Sequence, residues 1–199
     1  MSEPTACTLT PADPDLPSSP SWCENCDLLV GLDGLHVRAV VRDEDGLTVT
    51  VESPPAPMGC PTCGVLAHGH GRVSVDLVDL PCFERPVRIR WVKRRWSCPE
   101  PACPVGTFVE QDDRIARPRG LLTVRACWWA IEQIRREHAS VLGIARQLGT
   151  SWKTVWRSIE PILTALDADP ARFEGVTTLG VDEHVVRHEA LLFRMEVRD

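Results

Sequence analysis

The sequence has no apolar run approaching the length needed to cross a bilayer, and its N-terminus lacks the basic stretch and apolar core of an export signal. The first absence excludes a hydrophobic membrane-spanning helix. The second sets a reducing compartment as the expectation for the nine cysteines, and with it metal binding rather than a disulfide framework. Basic residues are scarce at the start: residues 1–84 hold 3 Lys and Arg against 13 Asp and Glu. The formal charge of −6 hides a reversal, because residues 85–157 hold 15 against 6 and residues 158–199 hold 4 against 9. A polyanion therefore finds a match only in the middle of the chain. With 199 residues and a 43% hydrophobic share, the chain can form one sizeable core or two or three small modules.

What is present centres on two close cysteine pairs. Cys60-Pro-Thr-Cys63 and Cys98-Pro-Glu-Pro-Ala-Cys103 each place two thiols on one side of a tight turn, and a hairpin between them completes a tetrahedral four-cysteine zinc site. Gly64 relieves crowding where the first turn reverses, and Pro99, Pro101 and Pro104 keep helix out of the second. His68 and His70, in a glycine-rich stretch expected to be loop, are alternative ligands.

Residues 1–21 are rich in Pro, Ser, Thr and Asp and read as a disordered leader. Trp22-Cys23-Glu-Asn-Cys26 has redox-motif spacing, yet a Pro-rich leader precedes it and Gly31 and Gly34 interrupt the residues after it. A second metal site or plain reduced cysteines suit that context better. Alternation predicts strands over 35–41, 47–52, 72–80 and 87–96, the first two joined by a turn at Asp43–Gly46. The last strand carries Arg88, Arg90, Lys93 and Arg95, either as a solvated face or as phosphate contacts.

Helical spacing predicts an amphipathic helix over 121–137, with Val124, Cys127, Trp128, Ile131 and Ile134 on its apolar stripe. A short helix over 141–148, a break at Gly149, and a third helix over 152–166 capped by Thr150 or Ser151 come next. Trp152, Val155, Ile159 and Ile162 form the expected buried stripe of the third helix, leaving Lys153, Thr154, Arg157 and Ser158 outward. Two short helices about a glycine turn suit a helix-turn-helix with a recognition helix, and also suit a helical bundle that contacts only protein. Beyond Pro170 and Gly175, Val176-Thr-Thr-Leu-Gly-Val-Asp182-Glu183 reads as a buried strand ending in carboxylates.

Taken in order, Cys60, Cys63-Gly64, His70-Gly71, Asp79-Leu80-Pro81, Arg94-Arg95, Cys98, Cys103 and Phe108, then the helix-turn-helix and Leu179-Gly-Val-Asp182-Glu-His184, resemble the ISL-three group of bacterial insertion-sequence transposases. The resemblance implies a DNA-binding protein that recognises the terminal inverted repeats of its element as double-stranded DNA. It also implies an RNase H-like catalytic domain of which Asp182 is the first carboxylate. The expected fold is α+β and multi-module: a β-rich zinc ribbon over 22–110, a helix-turn-helix over 118–168, and from 174 the first strands of an incomplete RNase H-like domain. Zn²⁺ is the expected structural cofactor, and Mg²⁺ enters only with a complete catalytic domain. Expected DNA contacts are Ser151, Lys153, Thr154, Arg157, Arg94 and Arg95. No residue matches the second Asp or the Glu, so a truncated, catalytically incomplete fragment in the bacterial cytoplasm, associated with the nucleoid, is the expectation. A homodimer stays open, as do two alternatives: a zinc-containing helix-turn-helix transcription regulator without nuclease activity, and a zinc module that binds protein.

Overall fold

The computed structural model describes residues 22–186 and 190–197, and the backbone alone beyond residue 178. The expected leader at 1–21 lies outside the described residues. The fold is α+β, and the chain divides into two compact units, one through Glu160 and one from Pro161.

In the first unit, β1 (His36–Arg42) and β2 (Leu47–Glu52) form the expected hairpin. Asp43 Oδ1 accepts from the amides of Asp45 and Gly46 across the turn, at 3.0 Å each. Gly46 is required there, because a Cβ on it would lie 2.3 Å from the Pro86 carbonyl oxygen. β3 (His68–Cys82) and β4 (Arg85–Ser97) form a second, longer hairpin, and β2 lies parallel beside β4. The strand order is β1-β2-β4-β3, with β5 (Thr107–Val109) also on β4. His68 and His70 thus stand in a strand, not in the expected loop; pairing of β3 with β4 extends past the glycines that suggested a break.

Alternation along β4 sends Val87, Ile89 and Trp91 into a core shared with Val49, Val51, Leu77, Leu32, Leu35, Ile115 and Ala116. Lys93 continues that parity and is buried too. Its Nζ donates to Gln111 Oε1 at 2.7 Å and sits 4.1 Å from the Trp91 ring centroid. Burial pulls the Lys93 ammonium below its usual pKa, with Glu110 and Asp113 opposing.

α1 (Glu24–Val30) is a helix where the glycines were expected to interrupt; Gly31, at φ +58°, ends it as a left-handed cap. α2 (Val124–Glu137) starts three residues later than its periodicity predicts, because Thr123 caps it and residues 121–123 are held in extended form against β3. The Val78 amide donates to Leu121 and the Thr123 amide to Val78. The Thr123 hydroxyl accepts from the Ala126 amide and donates to Asp79 at 2.6 Å.

Arg125 also binds Asp79, whose side chain is only 2% exposed, and donates onward to the carbonyls of Val30 and Gly31. One carboxylate on β3 therefore anchors the start of α2 and, through Arg125, the end of α1. The module boundary drawn between residues 110 and 118 is crossed by these bonds.

α3 (Val141–Gln147) and α4 (Trp152–Asp167) form within a residue of their expected limits. Val155, Ile159 and Ile162 are buried as expected, but Trp152 is 50% exposed, and Trp128 on α2 is 43% exposed. The small residues Ala126, Ala130 and Ala145 draw the backbones together, and Ile131, Ile144 and Leu148 fill the space without the indoles. Pro161 lies inside α4 and has no amide to offer the Arg157 carbonyl, and the first unit ends one residue before it.

The second unit contains a 3₁₀ turn at Pro170–Phe173, then β6 (Leu179–Val186) antiparallel to β7 (Ala190–Val197). Asp182 and Glu183 stand mid-strand, with Asp182 in register with Arg194, so the expectation of a strand ending in carboxylates is corrected. The hairpin continues the ladder past them. Their side chains lie outside the described residues.

Replacing Asp79 with Ala leaves Arg125 without its buried counter-charge and Thr123 without its acceptor. The expected loss is about 3–5 kcal/mol in stability, read as a lowered urea midpoint for the first unit. A midpoint unchanged from wild type would show that Asp79 does not join these elements.

Candidate metal centre and helix-turn-helix

Two short reversals build the metal site. In the first, the Cys60 amide donates to Val65, Gly64 donates back to Cys60, and Ala67 donates to Met58. Gly64 takes φ +74° at the reversal, as its place after Cys63 predicts. In the second, Cys103 donates to Glu100 and Cys98 to Gly106, which delivers the chain into β5. The hairpin of β3 and β4 brings the two reversals together.

The four sulfurs lie within 4.8 Å of one another, with Cys60 to Cys103 at 3.7 Å and Cys63 to Cys98 at 3.5 Å. A tetrahedral ion with Zn–S bonds of ~2.3 Å sets its sulfurs ~3.8 Å apart, so the donor set suits zinc. Among the described residues these four cysteines are the one group assembled to hold an ion. His68, His70, Cys23 and Cys26 are not part of that group.

The thiols are electrostatically unequal. Amides of Cys63 and Thr62 pull the Cys60 pKa down to about 6. At Cys98 the Glu100 amide works in the same direction, but burial and the three neighbouring thiols outweigh it and push the group up to about 12. Cys103 is raised as well; the Val105 amide opposes the shift, while burial and the Cys60 and Cys63 thiols drive it. Four thiolates this close repel one another, and a dication removes that conflict.

At the other end of the β3–β4 hairpin sits the turn between α3 and α4. Gly149 has φ +60°, and a Cβ there would lie 2.8 and 2.9 Å from two Pro86 side-chain atoms. The Arg88 guanidinium donates to the Gly149 carbonyl. The turn glycine is thus fixed both by its backbone conformation and by the strand pressed against it. Ser151, not Thr150, caps α4: its hydroxyl accepts from the Thr154 amide at 3.1 Å.

The expected DNA contacts divide. Ser151, Lys153 and Arg157 are exposed and Thr154 is half-buried. Lys153 and Arg157 project opposite the buried Val155 and Ile159 and have no ion-pair partner among the described residues. Arg95 is exposed and makes only a 3.4 Å contact to Thr107 Oγ1. Arg94 is largely withdrawn: its side chain is 18% exposed and bonds Glu52 and the Ser53 carbonyl. Glu52, which sequence reading passed over, is a buried carboxylate gripped by Arg38, Arg72 and Arg94. It lies on the face of β2 opposite Val49 and Val51, just before Ser53-Pro54, a position that gives no sign of this role in the sequence. Asp182 belongs to the second unit.

Fold and site together define a zinc ribbon followed by a helix-turn-helix. Residues 56–103 match the family model described as zinc-finger of transposase IS204/IS1001/IS1096/IS1165, and residues 114–162 match that of the helix-turn-helix domain of transposase family ISL3. The chain thus carries a zinc ribbon and a helix-turn-helix of the kinds found in transposases of family ISL3. No curated protein and no solved structure matches it. No helix among the described residues is long and apolar enough to cross a membrane.

Two measurements test this geometry. The protein is expected to hold one zinc per chain, and Cys60→Ser or a strong chelator is expected to abolish the ribbon's far-ultraviolet dichroism, as structural zinc supplies much of a small module's stability. Protons compete for the thiolates, so zinc affinity should rise with pH and fall on acidification. A dichroism spectrum indifferent to chelator would exclude the site. Gly149→Ala should lower the melting temperature, because the methyl meets Pro86 and the backbone is left-handed; an unchanged value would mean the turn does not rest on β4.

Proposed function

We propose that this chain binds the terminal inverted repeats of an insertion sequence as double-stranded DNA, with α4 entering the major groove. One observation carries the proposal: the Ser151-capped start of α4 presents Lys153 and Arg157 outward while Val155 and Ile159 anchor the helix, with its turn seated on β4. The cap leaves amide groups near a helix N-terminus, where phosphate oxygens are favoured, and the two cations lie where a groove edge would pass. Trp152 and Trp156, 50% and 39% exposed, flank this face and offer apolar surface to thymine methyl groups. The match of residues 114–162 supports the same reading. Two such helices on one repeat would require a homodimer, which fits a repeat containing symmetric half-sites.

A filter-binding titration with a duplex carrying the terminal repeat should show log K falling linearly with log salt, since each neutralised phosphate releases counterions. Arg157→Ala should weaken binding several-fold, by roughly 1 kcal/mol or more, without lowering the melting temperature. Salt-independent binding, or none, would remove DNA as the partner, and an equal loss of thermal stability would make Arg157 structural.

A further inference from the structure

Along the β3–β4 hairpin, Gly69 pairs with Trp96 and Arg72 with Arg94, so β3 carries one more residue than β4 across this step. The extra residue forms a bulge in which Gly71 takes φ +96°, and bulges redirect the side chains beside them. Here the bulge borders a cleft of about 210 Å³ lined by Gly69, Gly71, Arg72, Arg94, Arg95 and Trp96. The site lies on the ribbon, away from the helix-turn-helix contacts.

Two observations on this lining lack an internal explanation. Arg94 Nε and the Trp96 indole nitrogen are buried donors with no acceptor among the described residues, although nearly all buried polar groups in proteins have a partner. Cationic charge is also in excess. Glu52 is shared by Arg38, Arg72 and Arg94, and Glu110 takes only the Arg94 amide and the Ser53 hydroxyl, leaving Arg95 with no carboxylate among the described residues. An oxyanion would answer both, since guanidinium groups bind phosphate oxygens through paired N–H donors and an indole N–H adds another. The rim is open: Arg72 is 55% exposed, and a Cβ on Gly69 or Gly71 would meet nothing within 4 Å.

We propose that this cleft is a phosphate site, and, resting on the DNA reading above, that its ligand is a backbone phosphate of the duplex. The ribbon then grips DNA directly, as a second anchor beside α4. Such a contact carries no sequence information and acts on every duplex alike.

The test uses the full zinc-loaded chain, a random-sequence duplex and inorganic phosphate. The Trp96 indole resonance, identified by its loss in Trp96→Phe, is expected to shift with the duplex. Arg72→Ala is expected to lower the slope of log K against log salt by about 0.9 in a chain that still folds and holds zinc, with recovery in Arg72→Lys. A shift with phosphate but none with a bound duplex would overturn DNA as the source while leaving an oxyanion site. A shift with phosphate when no duplex binds at all would sink the DNA reading and keep the cleft. A Trp96 resonance unmoved by either probe, with a wild-type salt slope in Arg72→Ala, would overturn the site, its orphan donors then being satisfied by water.

Discussion

Four sulfurs held close enough to repel one another are the constraint on which the first unit depends. Cys60 and Cys103 are 43 residues apart and their sulfurs approach to 3.7 Å, so the ion that reconciles them also closes the hairpin of β3 and β4 at its open end. Loop closure over such a span is unfavourable for the chain alone, and metal binding is what offsets it. Amide donors from Cys63 and Thr62 favour the thiolate form at Cys60, whereas Cys98 and Cys103, raised by burial and by neighbouring thiols, release their protons to the incoming cation.

Once that hairpin is closed, β4 becomes the member to which the remaining parts attach. β2, β3 and β5 pair with it, and Pro86 and Arg88 near its start hold the helix-turn-helix glycine. The basic residues of the middle segment are accordingly not all available to a polyanion. Lys93 is buried over Trp91, Arg90 is paired with Asp76, Arg88 holds Gly149, and Arg94 serves Glu52. A formal count of charges overstates the cationic surface; of the expected contacts it leaves Lys153, Arg157 and Arg95 as exposed cations, with Arg72 added by the bulge.

The parts legible in the sequence were those governed by local rules. Cysteine spacing located the metal site, alternation located the strands, and the glycine between two periodic stretches located the turn at Gly149. What stayed hidden depends on partners distant in the chain. Trp152 and Trp128 fall at apolar-stripe positions by spacing, but small residues on the facing helices close the core without them, and periodicity carries no information about the volume opposite. Likewise Asp79 reads as one polar position in a strand, and only the fold shows it meeting Thr123 and Arg125. The placement of Asp182 failed for a related reason: pairing with β7 carries β6 on to Val186, and the residues of one strand do not show how far a partner extends it.

Strand geometry gives the two anchors a definite spacing. From Pro86, where the helix-turn-helix turn rests, to Arg95 beside the phosphate cleft, β4 advances nine residues, or roughly 30 Å at about 3.3 Å per residue. That is a little less than the roughly 34 Å of one turn of duplex. On the proposed reading, a strand of this length would let α4 occupy a major groove while the cleft met a backbone phosphate most of a turn away on the same side of the helix. The hairpin would then act as a spacer whose length is set by pairing, with zinc at its far end fixing the position of the second contact. On this reading, loss of metal would remove the distant anchor and, through β4, also loosen the seat of the turn that positions α4.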